Sequence, residues 1–204
     1  MIKIVDYGLG NISAFINVYK QFNMPAEAAK SATELEGASR IILPGVGAFD
    51  SAMGLLQASG MRPKLEELVL HRKVPVLGVC VGMQMLAESS DEGRLPGLGW
   101  VPGRVRGFWS DPRSAQLPLP HMGWNDVRPN AKSNLFEGLE GDVRFYFLHS
   151  FYFECSTGAD TTATAHYGLD FSCAVRADNV HGVQFHPEKS HHYGAALLNN
   201  FARA

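Results

Sequence analysis

GVCVGMQ, residues 78–84, decides how this chain is read. It follows an apolar run, VPVL (74–77), and sets one thiol, Cys80, two residues from a glycine on either side. A cysteine that merely packs needs no such neighbours. A cysteine held on a tight turn does, because glycine admits backbone conformations and close approaches closed to other residues. VPVLGV (74–79) reads as a buried strand and MQMLAES (83–89) as a helix, so Cys80 falls where a nucleophile elbow would sit. Such a turn presents the sulfur at the carboxyl edge of a parallel sheet, where α/β ligands bind. The N-terminus of the following helix would favour the thiolate, and the N–H of Val81 would be free to bind an oxyanion. The plain alternative is a structural cysteine beside packing glycines.

The pattern around the elbow is that of an α/β domain. IKIV (2–5), RIIL (40–43) and, more weakly, AEAA (26–29) read as strands. Ile12, Phe15, Ile16, Tyr19 and Phe22 share one helix face, with Asn11 as its cap. Further helical patterns lie in SAMGLLQA (51–58) and KLEELVLHRK (64–73), and Thr33 and Glu36 have capping-box spacing for a short helix. Strands alternating with helices predict a mostly parallel open sheet flanked by helices. From about residue 100 the pattern changes to strands: VPGRVRGF, NDVRP, VRFYFLHSFYF, TTATAHYG, FSCAVRAD and VHGVQF. These predict an antiparallel elaboration, closed by a helix over Tyr193–Ala202, in a single domain spanning 1–204.

Composition bounds the function. The chain has 204 residues, 46% of them apolar and 19% charged, with a formal net charge of −2. This balance gives no reason to expect a nucleic acid or an acidic membrane as partner. MIKIVDYG carries no signal-peptide pattern and no apolar run is long enough to span a bilayer. Cys80, Cys155 and Cys173 are too few and odd in number for a disulfide framework, which fits a reducing cytoplasm. Cys155 and Cys173 lack the glycine bracket and read as small buried hydrophobes.

A thiol nucleophile needs a base, and the base needs an orienting group. Of the eight histidines, His186 in GVQFHPEKS (182–190) stands apart at the end of a predicted strand. Pro187 pushes it into an extended conformation, from which Glu188 projects to the same side. Cys80, His186 and Glu188 then form a triad; the bland alternative is a surface turn with an incidental ion pair. His149 lies in a strongly apolar strand, where a satisfied structural histidine or a partner-facing group is the better reading. His191 and His192 are adjacent but make no metal-ligand pattern, and no metal or cofactor is expected. His71, His121, His166 and His181 carry no signal alone. PGVG (44–47) is a flexible loop able to add a second oxyanion donor, or a plain turn. YGLGN (7–11) lacks the third glycine of a dinucleotide fingerprint and reads as a turn facing a ligand or partner.

PGVGAF, GVCVGMQ and GVQFHPEKS, in this order and spacing, resemble the class I, triad-type glutamine amidotransferases. DYGLGN, PHMGWN (120–125), FYFLHSFYF (145–153) and HPEKS narrow the resemblance to the glutaminase subunits of imidazole glycerol phosphate synthase, over essentially the whole chain. The resemblance implies a glutaminase in which Cys80 forms a γ-glutamyl thioester, His186 shuttles the proton and Glu188 orients it. It implies oxyanion donors from Val81 with Val46 or Gly47, and glutamine binding by Gln84, Glu92, His149 and Ser150. It further implies a (β/α)₈ cyclase partner that receives the ammonia, faced by Asn11, Trp124, Tyr146 and Lys189. The bland alternatives for these four are a helix cap, two core aromatics and a solvated lysine. Three positions depart from the family pattern: Val81 for leucine, Leu148 for valine and His191 for glutamine. Three competing readings remain: another ammonia-channelling glutaminase, a non-catalytic binding module of the same fold, and a free-standing hydrolase.

Overall fold

The computed structural model describes residues 1–130, 133–139, 141 and 143–203. Among these, twelve strands form one sheet. Its core is parallel: β1 (Ile2–Val5), β2 (Ala26–Ala29), β3 (Arg40–Gly45), β4 (Val76–Cys80) and β12 (Val180–Val183) lie in the order β2-β1-β3-β4-β12. The apolar runs that predicted β3 and β4 are buried on both faces: Ile41, Ile42, Leu43, Val76 and Leu77 have no exposed surface. Each such side chain contributes about 2 kcal/mol by leaving water. Helices α1 (Ile12–Gln21), α2 (Phe49–Ala58), α3 (Arg62–Glu66) and α5 (His191–Arg203) flank this core, and α3 runs on as a π-helical turn over Glu67–His71. No helix among the described residues is long and apolar enough to cross a membrane.

The antiparallel elaboration follows β12. Strands β11 (Leu169–Ala177), β10 (Thr161–Tyr167), β7 (His121–Pro129) and β8 (Arg144–His149) extend the sheet in that order. β9 (Phe151–Cys155) pairs with both β11 and β6 (Gly103–Gly107), and β6 also carries the short β5 (Ser89–Ser90). The long apolar segment 143–153 is therefore two strands, broken at Ser150.

Two sequence expectations need correction. The helix after Cys80 is a single turn, α4 (Val81–Gln84), and not a run over 83–89. The carbonyls of Met85, Leu86 and Ala87 accept from the N–H groups of Leu98, Val101 and Gly99, at 2.8, 3.0 and 3.0 Å, so the loop 98–101 takes the acceptors a longer helix would use. A single turn carries a smaller dipole than the longer helix expected. The capping signal at Thr33 and Glu36 also fails. Ser31 Oγ accepts from Glu34 N at 3.4 Å and Glu34 Oε2 from Lys30 N at 2.8 Å, while Glu36 pairs with Lys64 and Arg72.

The elbow needs its glycines because the first turn after β4 packs too closely against β3 and β4 for side chains. A Cβ on Gly82 would lie 1.9 Å from the Leu43 carbonyl oxygen, one on Gly45 would lie 2.4 Å from Gly82 N, and one on Gly78 2.6 Å from the Gly82 carbonyl oxygen. The glycines permit contact, while Cys80 itself takes the strained backbone angle, φ +56°. Gly82→Ala is expected to lower unfolding stability by about 3 kcal/mol, at the upper end of overpacking costs, as read from urea-denaturation midpoints.

Candidate active site

Three adjacent parallel strands deliver the site at their carboxyl ends. Gly45 at the end of β3 lies opposite Cys80 at the end of β4, and His186 stands three residues beyond the end of β12. One pocket is lined by Val46, Gly47, Cys80, Val81, Gln84, Glu92, Ser150 and His186, with Pro120 and the chain from Leu148 to Phe151. Every residue the sequence nominates for the triad, the oxyanion hole and glutamine binding meets this pocket, except Glu188, which lies behind His186.

His186 is extended, φ −100° and ψ 93°, as Pro187 requires. Pro187–Lys189 then forms a 3₁₀ turn, and this turn, not a continuing strand, swings Glu188 back onto the ring. His186 Nδ1 meets Glu188 Oε1 at 2.8 Å, with both side chains only 4% exposed. The turn is anchored on three sides: His186 N donates to Tyr146 O at 2.9 Å, Ser190 Oγ donates to His186 O at 2.6 Å, and Tyr146 N donates to Ser190 Oγ at 3.0 Å. With Nδ1 committed to the carboxylate, Nε2 is left for Cys80. Burial disfavours the charged ring, yet hydrogen bonding and charge from Cys80 and Glu188 outweigh it and raise His186 to about 9.

The sulfur is held by two further contacts: it approaches Leu148 O at 3.9 Å and receives Gln184 Nε2 at 3.9 Å. Gln184 is fully buried and was not nominated from sequence; its one signal is a carboxamide inside the apolar run VHGVQF. Gln84 Nε2 donates to Gln184 Oε1 at 3.1 Å and to Phe151 O at 3.4 Å. Both of its donors are thus used within the protein, and its oxygen is the group that remains for a ligand.

Glu92 does two things. It lines the pocket, and its Oε2 accepts from Phe49 N at 2.9 Å, capping α2, whose N-cap Ala48 has no side-chain acceptor. Burial, then the charge of Asp50, raise its pKa against that bond. The YGLGN turn buttresses the PGVG loop: Tyr7 Oη donates to Pro44 O at 2.7 Å, and Gly10, at φ +93°, leaves room for Pro44, which a Cβ would meet at 2.7 Å. Beyond Pro44 the loop opens, with Val46 39% exposed and Gly47 at φ +86°.

His149 is satisfied at both nitrogens, with Nε2 on His121 Nδ1 at 2.9 Å and Nδ1 on Phe151 O at 2.6 Å. Burial, then His121, lower it to about 3, so it is not a base. Trp124 and Lys189 are exposed, Tyr146 is half-buried, and Asn11 caps α1 through Ala14 N. Trp124 is not a core aromatic: it stands on the outer face of β7 with His191 stacked on it at 5.4 Å and 7°. Among the described residues no group of His, Cys, Asp or Glu is arranged to hold a metal. Burial pushes the thiols of Cys155 and Cys173 up, and neither meets the pocket.

The raised His186 pKa carries a stability term. It is fully present below the unfolded-state value of 6.5 and is lost as pH rises through about 9. Denaturant midpoints from pH 6.5 to 9 are expected to fall for the wild type, and to fall less for Glu188→Gln, in which one of the groups raising His186 is removed.

A family model described as class-I glutamine amidotransferase matches residues 3–204. The imidazole glycerol phosphate synthase subunit HisH of Bdellovibrio bacteriovorus is 65% identical over 202 residues, covering 99% of each chain. The subunit of the same name from Leptospira borgpetersenii is 52% identical, also over 99% of each chain. A crystal structure described as a glutamine amidotransferase superimposes with a TM-score of 0.77 at 20% identity, over 99% of this chain and 97% of that one, a likeness of fold. With the elbow, the pocket and these matches together, the chain belongs to the class-I glutamine amidotransferase family.

Proposed function

We propose that this chain is the glutamine amidotransferase subunit of an imidazole glycerol phosphate synthase, and that it releases ammonia from glutamine for a cyclase partner in histidine biosynthesis. The observation that carries the reading is one pocket holding a thiol on a strained elbow beside a buried imidazole oriented by a carboxylate. The names of the relatives, subunits of imidazole glycerol phosphate synthase, support the assignment to that enzyme.

The chemistry follows from the geometry. Cys80 Sγ adds to the side-chain amide carbon of glutamine, and the new oxyanion is met by the N–H of Val81, with a second donor from the Val46–Gly47 loop. His186 passes its proton to the departing nitrogen, which leaves as ammonia, and a γ-glutamyl thioester remains. His186, now neutral, takes a proton from water as the water attacks the thioester. Glutamate leaves as the C–S bond breaks, and the sulfur is again paired with the protonated His186. Glu188 holds the ring and its charge through both steps. Gln84 Oε1, Glu92 and the backbone from His149 to Ser150 bind the substrate.

The partner is a (β/α)₈ cyclase that uses the ammonia to make imidazole glycerol phosphate and aminoimidazole carboxamide ribonucleotide. Its docking face is supported by the outer side of β7 and β8, where Met122, Trp124 and Leu148 are 66%, 40% and 37% exposed beside the pocket mouth. Tyr146 stands across from Trp124 on that face, and Lys189 and Asn11 are assigned to the same partner. The chain acts as one glutamine amidotransferase domain, residues 1–204, in the cytoplasm, without cofactor or metal.

Glutamate release is expected to be slow for the isolated chain and to rise many-fold with the cyclase subunit and its nucleotide substrate. Cys80→Ala should abolish it under both conditions. High activity without any partner would refute the gated reading, and activity that survives in Cys80→Ala would refute the nucleophile.

A further inference from the structure

The inner face of the β7–β8 ribbon carries polar groups that the proposed chemistry does not use. Side chains alternate along both strands: Met122 and Trp124 face outward, and His121 and Asn125 lie on the opposite side. His121 pairs directly across from His149 in the strand register, and its ring is stacked between Phe147 at 5.0 Å and Tyr167 at 4.2 Å.

The hydrogen atoms in this cluster follow from the partners. A carbonyl oxygen can only accept, so the 2.6 Å contact to Phe151 O requires a proton on His149 Nδ1. Burial keeps both rings neutral, so His149 Nε2 accepts, and His121 must donate to it from Nδ1. His121 Nε2 then accepts from Asn125 Nδ2 at 3.1 Å, and the second hydrogen of that amide goes to His166 O at 2.9 Å. The Phe151 carbonyl reached by His149 is the one that receives Gln84 Nε2; Gln84 in turn donates to Gln184, and Gln184 to the sulfur. Each group's role as donor or acceptor is thus assigned, and the two arms of the network meet at the Phe151 carbonyl, which accepts from both His149 and Gln84.

We infer that His121 is a positioning residue for glutamine hydrolysis: through His149 and the Phe151 carbonyl it holds Gln84 and Gln184, and through them the Cys80 thiol, in working geometry. This rests on the glutaminase reading above. His121 touches neither substrate nor thiol and acts entirely through its neighbours.

Two variants separate positioning from packing. His121→Phe keeps an aromatic ring between Phe147 and Tyr167 but removes the donor to His149. His121→Asn loses the ring but restores a donor where Nδ1 stood. With cyclase present, His121→Phe is expected to lose about tenfold or more in kcat/KM, the scale on which supporting hydrogen bonds act, while His121→Asn recovers most of it despite lower stability. A packing role predicts the opposite order. Nitrogen-15 NMR of the wild-type complex gives a test that needs no variant to fold: both rings must be neutral at pH 7 with hydrogen on Nδ1. Hydrogen on Nε2 of either ring, a doubly protonated ring, or an Asn variant no more active than Phe overturns the inference. Absence of Cys80-dependent glutamine hydrolysis in the wild type would instead sink the glutaminase reading, while the NMR spectrum would still judge the hydrogen-bond chain.

Discussion

The near contact of two backbones, the end of β3 against the first turn after β4, governs the rest of the molecule. With no Cβ at Gly45, Gly78 or Gly82, the chain turns within van der Waals distance of its neighbour, and the strain falls on Cys80, the one residue at the turn that must carry a side chain. Strain of this kind costs about 1–3 kcal/mol and persists where the surroundings over-determine it. Here they do. Val76, Leu77 and Val79 are buried in the central strand, and parallel neighbours hold it on both sides.

Electrostatics divides the three buried histidines of the pocket and of the wall behind it into two kinds. His186 meets a carboxylate and a thiol and holds its proton to about pH 9. His149 and His121 meet each other, a carbonyl and an amide, and stay neutral to about pH 3 and 4. Burial acts in the same direction on all three, so the partners decide the outcome. The result is one charged ring against the sulfur and a neutral polar wall behind it.

What the sequence made legible was what is local. Cys80, His186 and Glu188 each sit in a short motif whose backbone demands, glycine beside the thiol and proline after the imidazole, can be read directly. The parallel core was legible from unbroken apolar runs. Gln184 was not, because its role depends on β12 lying beside β4. His121 was not, because its partner His149 is met only through the β7–β8 register. The helix after Cys80 was overextended because residues 81–87 are buried without exception and so have no periodic polar face; their carbonyls serve the loop 98–101 instead.

The two restraints on the PGVG loop have a mechanical consequence. Tyr7 fixes the Pro44 carbonyl at one end, and Glu92 fixes the Phe49 amide at the other. Four residues, 45–48, lie between these pins, and Gly45 is itself paired with Cys80 in the sheet, so the span is too short to swing as a lid. The rearrangement open to so short a span is rotation of a peptide plane about its own axis, which reverses an N–H and a C=O while the Cα atoms stay nearly in place. Such a rotation would require little displaced volume and would alter one hydrogen bond at the pocket, so contacts worth a few kcal/mol would suffice to tip it.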